Sequence, residues 1–244
     1  MIPKTIHYCW FGGNPIPNEL KKCIASWEKL CPDYEIKRWD ESNFDVNQHP
    51  FVKGAYEAKE WAFVSDYARL KIVYDEGGIY LDTDVELVKN LDFLLRYKLY
   101  IGVQQSGKLC NTGLGFGAEK ENPIVKKMLD EYQYLTYRPE DRFRIACPYL
   151  NDKVFKDIGY NYSENPVEIN GAIVFPCRYF DPAAPGHDMK NLNCNDTISI
   201  HHYSASWLGK RTRFRRKLIR LVGQERVNSL KEWLLVRKEK KNDK

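Results

Sequence analysis

The segment EGGIYLDTDVEL, residues 76–87, sets two aspartates one residue apart at the end of an apolar run that reads as a buried strand. Successive side chains of a strand alternate between its faces, so Asp82 and Asp84 are expected to point the same way. Two carboxylates that close repel, and each raises the pKa of the other. The pattern calls for a positive charge between them.

Upstream of this run, residues 60–76 predict a helix with Phe63, Tyr67, Leu70 and Tyr74 on one face and Gly77 as its C-cap, feeding directly into the strand. The chain opens with KTIHYCWF, residues 4–11, which reads as a first buried strand ending at the Gly12-Gly13 turn. Pro17 suits the first turn of a following helix, whose apolar face is Leu20, Cys23, Ile24, Trp27 and Leu30, and Pro32 stops it. YEIKRW, residues 34–39, is the next strand. Such a β-α-β opening predicts an α/β fold, a mostly parallel sheet with flanking helices. Downstream, strands are expected at 100–103 and 113–117, helices at 123–137 and 147–158, and short strands at 172–175 and 197–202. The Pro-, Gly- and Asn-rich segment 177–195 reads as a long loop over a site.

A chain of 244 residues is long enough for one large α/β domain, or for one domain plus an appendage. The net charge of +5 is unevenly placed: residues 208–244 carry +10 and residues 1–207 carry −5. The texture after Trp207 is that of two amphipathic helices, so the expected division is a main α/β domain, 1–207, and a basic amphipathic helical tail, 208–244. Basic patches interleaved with aromatics would suggest nucleic acid, and the acidic body argues against it. A basic amphipathic end points instead to an anionic membrane surface. The seven cysteines form no CxxC pair, and their odd, scattered distribution suits reduced thiols. No stretch approaches the roughly 20 apolar residues of a membrane span, and the N-terminus lacks a signal-peptide pattern. The expected setting is cytoplasmic, with the tail on the cytoplasmic membrane face.

Carboxylates at a strand end of an α/β sheet are hard oxygen ligands placed where such sheets bind ligands, suited to Mn²⁺ or Mg²⁺ with phosphate completing the shell. A bare D-x-D more often opens a solvated turn; the apolar strand and Gly-Gly before this one favour the metal. Aspartyl-phosphate phosphatases of the haloacid dehalogenase type also place D-x-D after a strand. They usually carry Thr or Val two residues past the second aspartate, where this chain has Glu86, and no later D-D-x-x-x-D cluster follows. A sugar-nucleotide-binding, lectin-like module without turnover is the third alternative.

On the preceding helix SDYAR puts Ser65, Asp66 and Arg69 within i,i+3/i+4 reach. As a local salt bridge this is worth a few tenths of a kcal/mol; facing a site, Asp66 can bind ribose hydroxyls and Arg69 phosphate. Asn111 in CNTGLGF lies among glycines that permit close backbone approach. In ISIHHYSASW, His201 and His202 follow an apolar strand, with Ser204, Ser206 and Trp207 on the turn beyond. A neutral imidazole can ligate Mn²⁺, and an indole N–H can reach a phosphate oxygen. Trp10, at the end of the first strand, is a core aromatic or a platform for a nucleobase.

Taken in order, IPKTIHYCWFGG, WAFVSDYARLKIVYDEGGIYLDTDVEL and HHYSASW resemble the DxD glycosyltransferases of family 32, with more distant kinship to clostridial toxin glucosyltransferases. The resemblance covers most of residues 1–207. It implies the GT-A fold and retaining transfer of a hexose from a nucleotide sugar, with UDP-hexose as first choice of donor and GDP-mannose as second. The acceptor it implies is a glycan or lipid-linked saccharide of surface polysaccharide or capsule biosynthesis. Trp10 is expected to stack on the base, Asp66 on ribose or sugar, and Arg69 on the donor. Asp82 is expected on donor hydroxyls and metal, Asp84 directly on the metal, Asn111 near the donor sugar, and Trp207 on the β-phosphate. His202 falls where the toxin relatives carry an acidic metal ligand.

Overall fold

The structure is a computed structural model that describes residues 1–142, 144–185 and 189–204. The expected tail, together with Ser206 and Trp207, lies outside the described residues.

The opening unit folds as the pattern predicts. β1 (Thr5–Cys9) and β2 (Glu35–Trp39) pair in parallel through α1 (Asn18–Leu30), which buries Leu20, Cys23 and Trp27. α2 (Pro50–Glu57) starts at His49, whose Nδ1 accepts from the Phe51 N–H at 3.1 Å, with Pro50 at the first helical position. α3 (Trp61–Glu76) is buried on most of its surface and ends at Gly77, whose φ of +72° is open to glycine without strain. It delivers the chain into β3 (Gly78–Tyr80), parallel to β1.

β4 (Val85–Leu87) leaves the main sheet, and β5 (Leu99–Val103) and β6 (Cys110–Ala118) form an antiparallel hairpin. α4 (Pro123–Asp130) is capped by Asn122, whose Oδ1 accepts from the Ile124 N–H at 2.9 Å. The helix is shorter than residues 123–137, because the chain beyond it breaks into turns that seat the Tyr132 ring 4.9 Å from Phe51. α5 (Cys147–Asp157), β7 (Val167–Ile169), β8 (Ala172–Phe175), α6 (Cys177–Phe180) and β9 (Ser199–His201) complete the described strands and α-helices. The expected loop at 177–195 therefore begins with a helical turn.

The seven-stranded sheet has the order β2-β1-β3-β6-β5-β8-β7. Its pairings run five strands one way, with β6 and β7 against them. Alternation along the strands builds two cores. Leu99, Ile101, Ala172 and Val174 face the cluster under α2 to α5, while Tyr100, Ile173 and Phe175 face the one under α1 and α6. Each fully buried Phe in them, Phe51 and Phe155 among them, contributes about 1.5–3 kcal/mol. A second sheet of two strands, β4 and β9, sits beyond the end of β3.

Candidate active site

The two aspartates are not alternate positions of one strand, as the sequence predicts. β3 stops at Tyr80, the Leu81 N–H extends the ladder to His7 O at 3.0 Å, and the Val85 N–H then closes a turn onto Asp82 O at 2.9 Å. Asp82 and Asp84 lie in that turn, between the main sheet and the β4-β9 pair. Each has its own positive partner.

For Asp82 the partner comes from α3. Arg69 Nη2 lies 3.1 Å from Asp82 Oδ1 and 3.0 Å from Asp66 Oδ1, and its Nε donates to Ser65 O at 3.1 Å. The guanidinium stacks 4.9 Å from the Tyr80 ring, whose hydroxyl donates to Asp82 Oδ1 at 3.0 Å. Burial works against the Arg69 charge, but Asp82, Tyr80 and Asp66 outweigh it and keep the guanidinium firmly charged. Burial pushes the Asp82 carboxyl up, Arg69 opposing; Asp66 follows the same balance.

For Asp84 the partner comes from the far end of the chain. His201, opposite Val85 in the β4-β9 pair, places Nε2 3.1 Å from Asp84 Oδ1. The Ser204 N–H and hydroxyl donate to Oδ2 at 2.8 and 3.0 Å. Burial opposes ionisation of Asp84, but His201 and Ser204 outweigh it and hold the carboxyl well below the usual carboxylate range. Burial depresses His201, and Asp84 more than reverses this, so the imidazole pKa is raised.

Asp82, Asp84 and His201 offer ligand atoms all within 4.8 Å of one another. Two carboxylates and an imidazole are a donor set that fits a divalent cation of the Mn²⁺ or Mg²⁺ kind. His202 was the histidine expected there; the ring nitrogen that lies with the two carboxylates is that of its neighbour, His201. Strand alternation turns His202 away, and its Nε2 meets Glu86 Oε2 at 2.7 Å.

The cluster forms part of a cleft of about 560 Å³ that Trp10, Ser65 and Arg69 also line. Trp10 follows β1 and donates its indole N–H to Asn14 O at 2.6 Å. Asp66 and Asn111 do not line the cleft and sit behind it. Asn111 Oδ1 accepts from the Gly113 N–H at 2.7 Å and its Nδ2 donates to Gln104 Oε1 at 2.8 Å. A Cβ on Gly113 would lie 2.8 Å from Asp82 Oδ2, 3.0 Å from Arg69 Nη1 and 3.1 Å from Asn111 Oδ1, so only glycine lets these groups converge. Sequence reasoning missed Trp61, Lys59 and Tyr203, which also line the cleft. Tyr203 follows the two histidines directly; nothing in the local pattern marks Trp61 or Lys59.

A sheet of this order, with a carboxylate pair just beyond the end of its third strand, is the GT-A fold. The fold is shared with PaToxG Glycosyltransferase, at a TM-score of 0.51 and 24% identity over 64% of this chain and 68% of that one. Residues 17–100 match the family described as a glycosyltransferase sugar-binding region containing a DXD motif. That match covers 84 of the 244 residues and agrees with the resemblance that the three quoted segments carry. Inositol phosphoceramide mannosyltransferase 3 of Schizosaccharomyces pombe is 33% identical over 153 residues, or 61% of this chain and 40% of that one. An uncharacterized glycosyltransferase of Acanthamoeba polyphaga mimivirus is 28% identical over 217 residues, 85% of this chain and 84% of that one. The chain thus spans under half the length of the yeast relative and most of the viral one.

Proposed function

We propose that the protein transfers a hexose, with retention of anomeric configuration, from a nucleotide sugar to a glycan or lipid-linked saccharide. The observation that carries this reading is the meeting of Asp82, Asp84 and His201 within 4.8 Å in a cleft that also holds Trp10. UDP-hexose and GDP-mannose are the donors to try. The mannosyltransferase name of the yeast relative gives GDP-mannose more weight than the sequence alone does.

Asp82, Asp84 and His201 would hold the cation, which when bound neutralises the charge of the departing diphosphate. Trp10 would carry the base on its indole face. Arg69 fixes Asp82 from behind and lends positive charge to the same end of the cleft. No second carboxylate is placed as a nucleophile by the chain's pattern, so the acceptor hydroxyl attacks the anomeric carbon on the face from which diphosphate leaves. The C–O bond to diphosphate breaks as the new glycosidic bond forms, and the acceptor's proton passes to the leaving phosphate oxygen. Trp207 is assigned the β-phosphate by resemblance only.

Incubation of the full chain with radiolabelled UDP-glucose, UDP-galactose and GDP-mannose plus Mn²⁺ tests the proposal. Slow donor hydrolysis that vanishes in EDTA and in Asp84→Asn supports it. Phosphate release from simple monoesters would favour the phosphatase alternative, and donor binding without turnover the lectin-like one. Peripheral attachment through residues 208–244 is part of the same proposal. Basic residues contribute about 1 kcal/mol each beside an anionic leaflet. Cosedimentation with anionic liposomes at low salt, lost on truncation after Trp207, is the expected result; a full chain left in the supernatant removes the membrane from the reading.

A further inference from the structure

Asp84 is gripped at both oxygens by residues of one short strap, 201–204, and that strap is itself tied down by a residue outside the cleft. Asp181, which follows α6, is fully buried, and its Oδ2 accepts from the Tyr203 hydroxyl at 2.8 Å and from the Gln105 N–H at 2.7 Å. The Gln105 side chain adds two more ties, its Nε2 donating to Asp181 O and Lys190 O, each at 2.9 Å. The carboxylate is thus anchored to the tip of the β5-β6 hairpin, the element that also carries Asn111.

Tyr203 is held in a conformation it would not choose. Its φ of +47° lies in the left-handed region, which a side chain of this size adopts only when its surroundings impose it. The consequence is functional: with the chain turned there, the Ser204 N–H and hydroxyl reach Asp84 Oδ2, while the His202 N–H bonds Asp84 O at 2.9 Å. The Tyr203 ring also lies edge-on to His201, centroids 4.1 Å apart and planes at 62°. Histidines that ligate metals usually have the second ring nitrogen held by a hydrogen bond. Among the described residues His201 Nδ1 is buried and has no such partner, so within them the Tyr203 ring and the bond to Asp84 set the orientation of its imidazole.

We propose that Asp181 is a positioning residue for the cation site, acting through the Tyr203 hydroxyl to hold the strap that presents His201 and Ser204 to Asp84. The inference rests on the cation reading above. It adds that the affinity of the site is set in part by a carboxylate that touches neither cation nor donor.

The test is Mn²⁺ binding to the full chain, followed by electron paramagnetic resonance of free Mn²⁺, in wild type, Tyr203→Phe, Asp181→Asn and the double variant. Loss of an outer partner typically costs about 10–100-fold in metal affinity, and each single variant is expected in that range. The double variant should be no weaker than the worse single one, since both remove the same link. Saturating Mn²⁺ should restore donor hydrolysis in Tyr203→Phe, a rescue that a generally damaged fold would not show. If Asp181→Asn fails to fold, Tyr203→Phe still decides, because it deletes one hydroxyl and keeps the ring. Wild-type uptake of Mn²⁺ with an unchanged dissociation constant in Tyr203→Phe, or additive effects in the double variant, overturns the positioning role alone. A wild-type chain that takes up no Mn²⁺ overturns the cation reading and this inference with it.

Discussion

His201 Nε2 lies 3.1 Å from Asp84 Oδ1, joining residues 117 positions apart at the point where the two-stranded sheet meets the main one. The next histidine, His202, faces away to Glu86. The two imidazoles can therefore be told apart by experiment. His201→Ala should weaken Mn²⁺ binding at least as much as loss of an outer partner would, about 10–100-fold, whereas His202→Ala should leave it within about twofold. Titration calorimetry measures both; equal losses would remove the distinction drawn from strand alternation.

The same pair gives a pH dependence. The folded pKa of His201 is raised above its ordinary value, so its contribution to stability is complete below about pH 6.5 and is lost as pH rises through the folded value. Asp84 is held low, so its contribution is present above about pH 4 and is lost only as pH falls through its folded value. In EDTA, the stability that wild type holds over His201→Gln should be largest between these limits and shrink towards pH 8. Cation affinity should rise over that upper range, because only neutral imidazole ligates. A Mn²⁺ dissociation constant that is flat from pH 6 to 8 would count against His201 as a ligand.

Arg69 is nearly fully buried between Asp66 and Asp82. Arg69→Ala leaves two carboxylates without their compensating charge, and breaking a buried pair in this way costs about 3–5 kcal/mol. Urea unfolding should show a loss of unfolding free energy of that size at pH 7 and a smaller one at pH 4, where both carboxyls, already pushed up by burial, take protons. A loss below about 1 kcal/mol at pH 7 would mean the arginine is dispensable to the fold.

Gly113→Ala tests how closely the donor end is packed. The new Cβ, 2.8 Å from Asp82 Oδ2, forces the carboxylate or the Arg69 side chain aside. A displacement approaching 1 Å in such a site can cost about 10²-fold in turnover. Donor hydrolysis should fall by that order while circular dichroism stays as in wild type; undiminished hydrolysis would show that Asp82 has room to move.

How much of this was legible in the chain depends on the range of the physics. Helix α3 was, because its apolar periodicity, its run into Gly77 and the strand after it are local features. So were the β-α-β opening and the grouping of Ser65, Asp66 and Arg69 on one helix. The end of β3 was not, since a turn and a strand look alike across LDTD until a hydrogen bond from Val85 to Asp82 chooses between them. α2 escaped notice because its cap is a histidine, and α4 was drawn too long because Tyr132, apolar and at helical spacing, packs from a turn.

By itself the sequence determined the class of fold, the carboxylate pair and the helix that faces it, all set by contacts between near neighbours. Only the tertiary structure decided which histidine lies against Asp84, and that a tyrosine in left-handed backbone and the buried Asp181 stand behind it. Register explains the difference. His201 and not His202 faces Asp84 because β9 pairs with β4 so that His201 lies opposite Val85, and a shift of one residue would exchange the two side chains. That pairing is fixed by packing between segments more than a hundred residues apart, and no window of the sequence contains both.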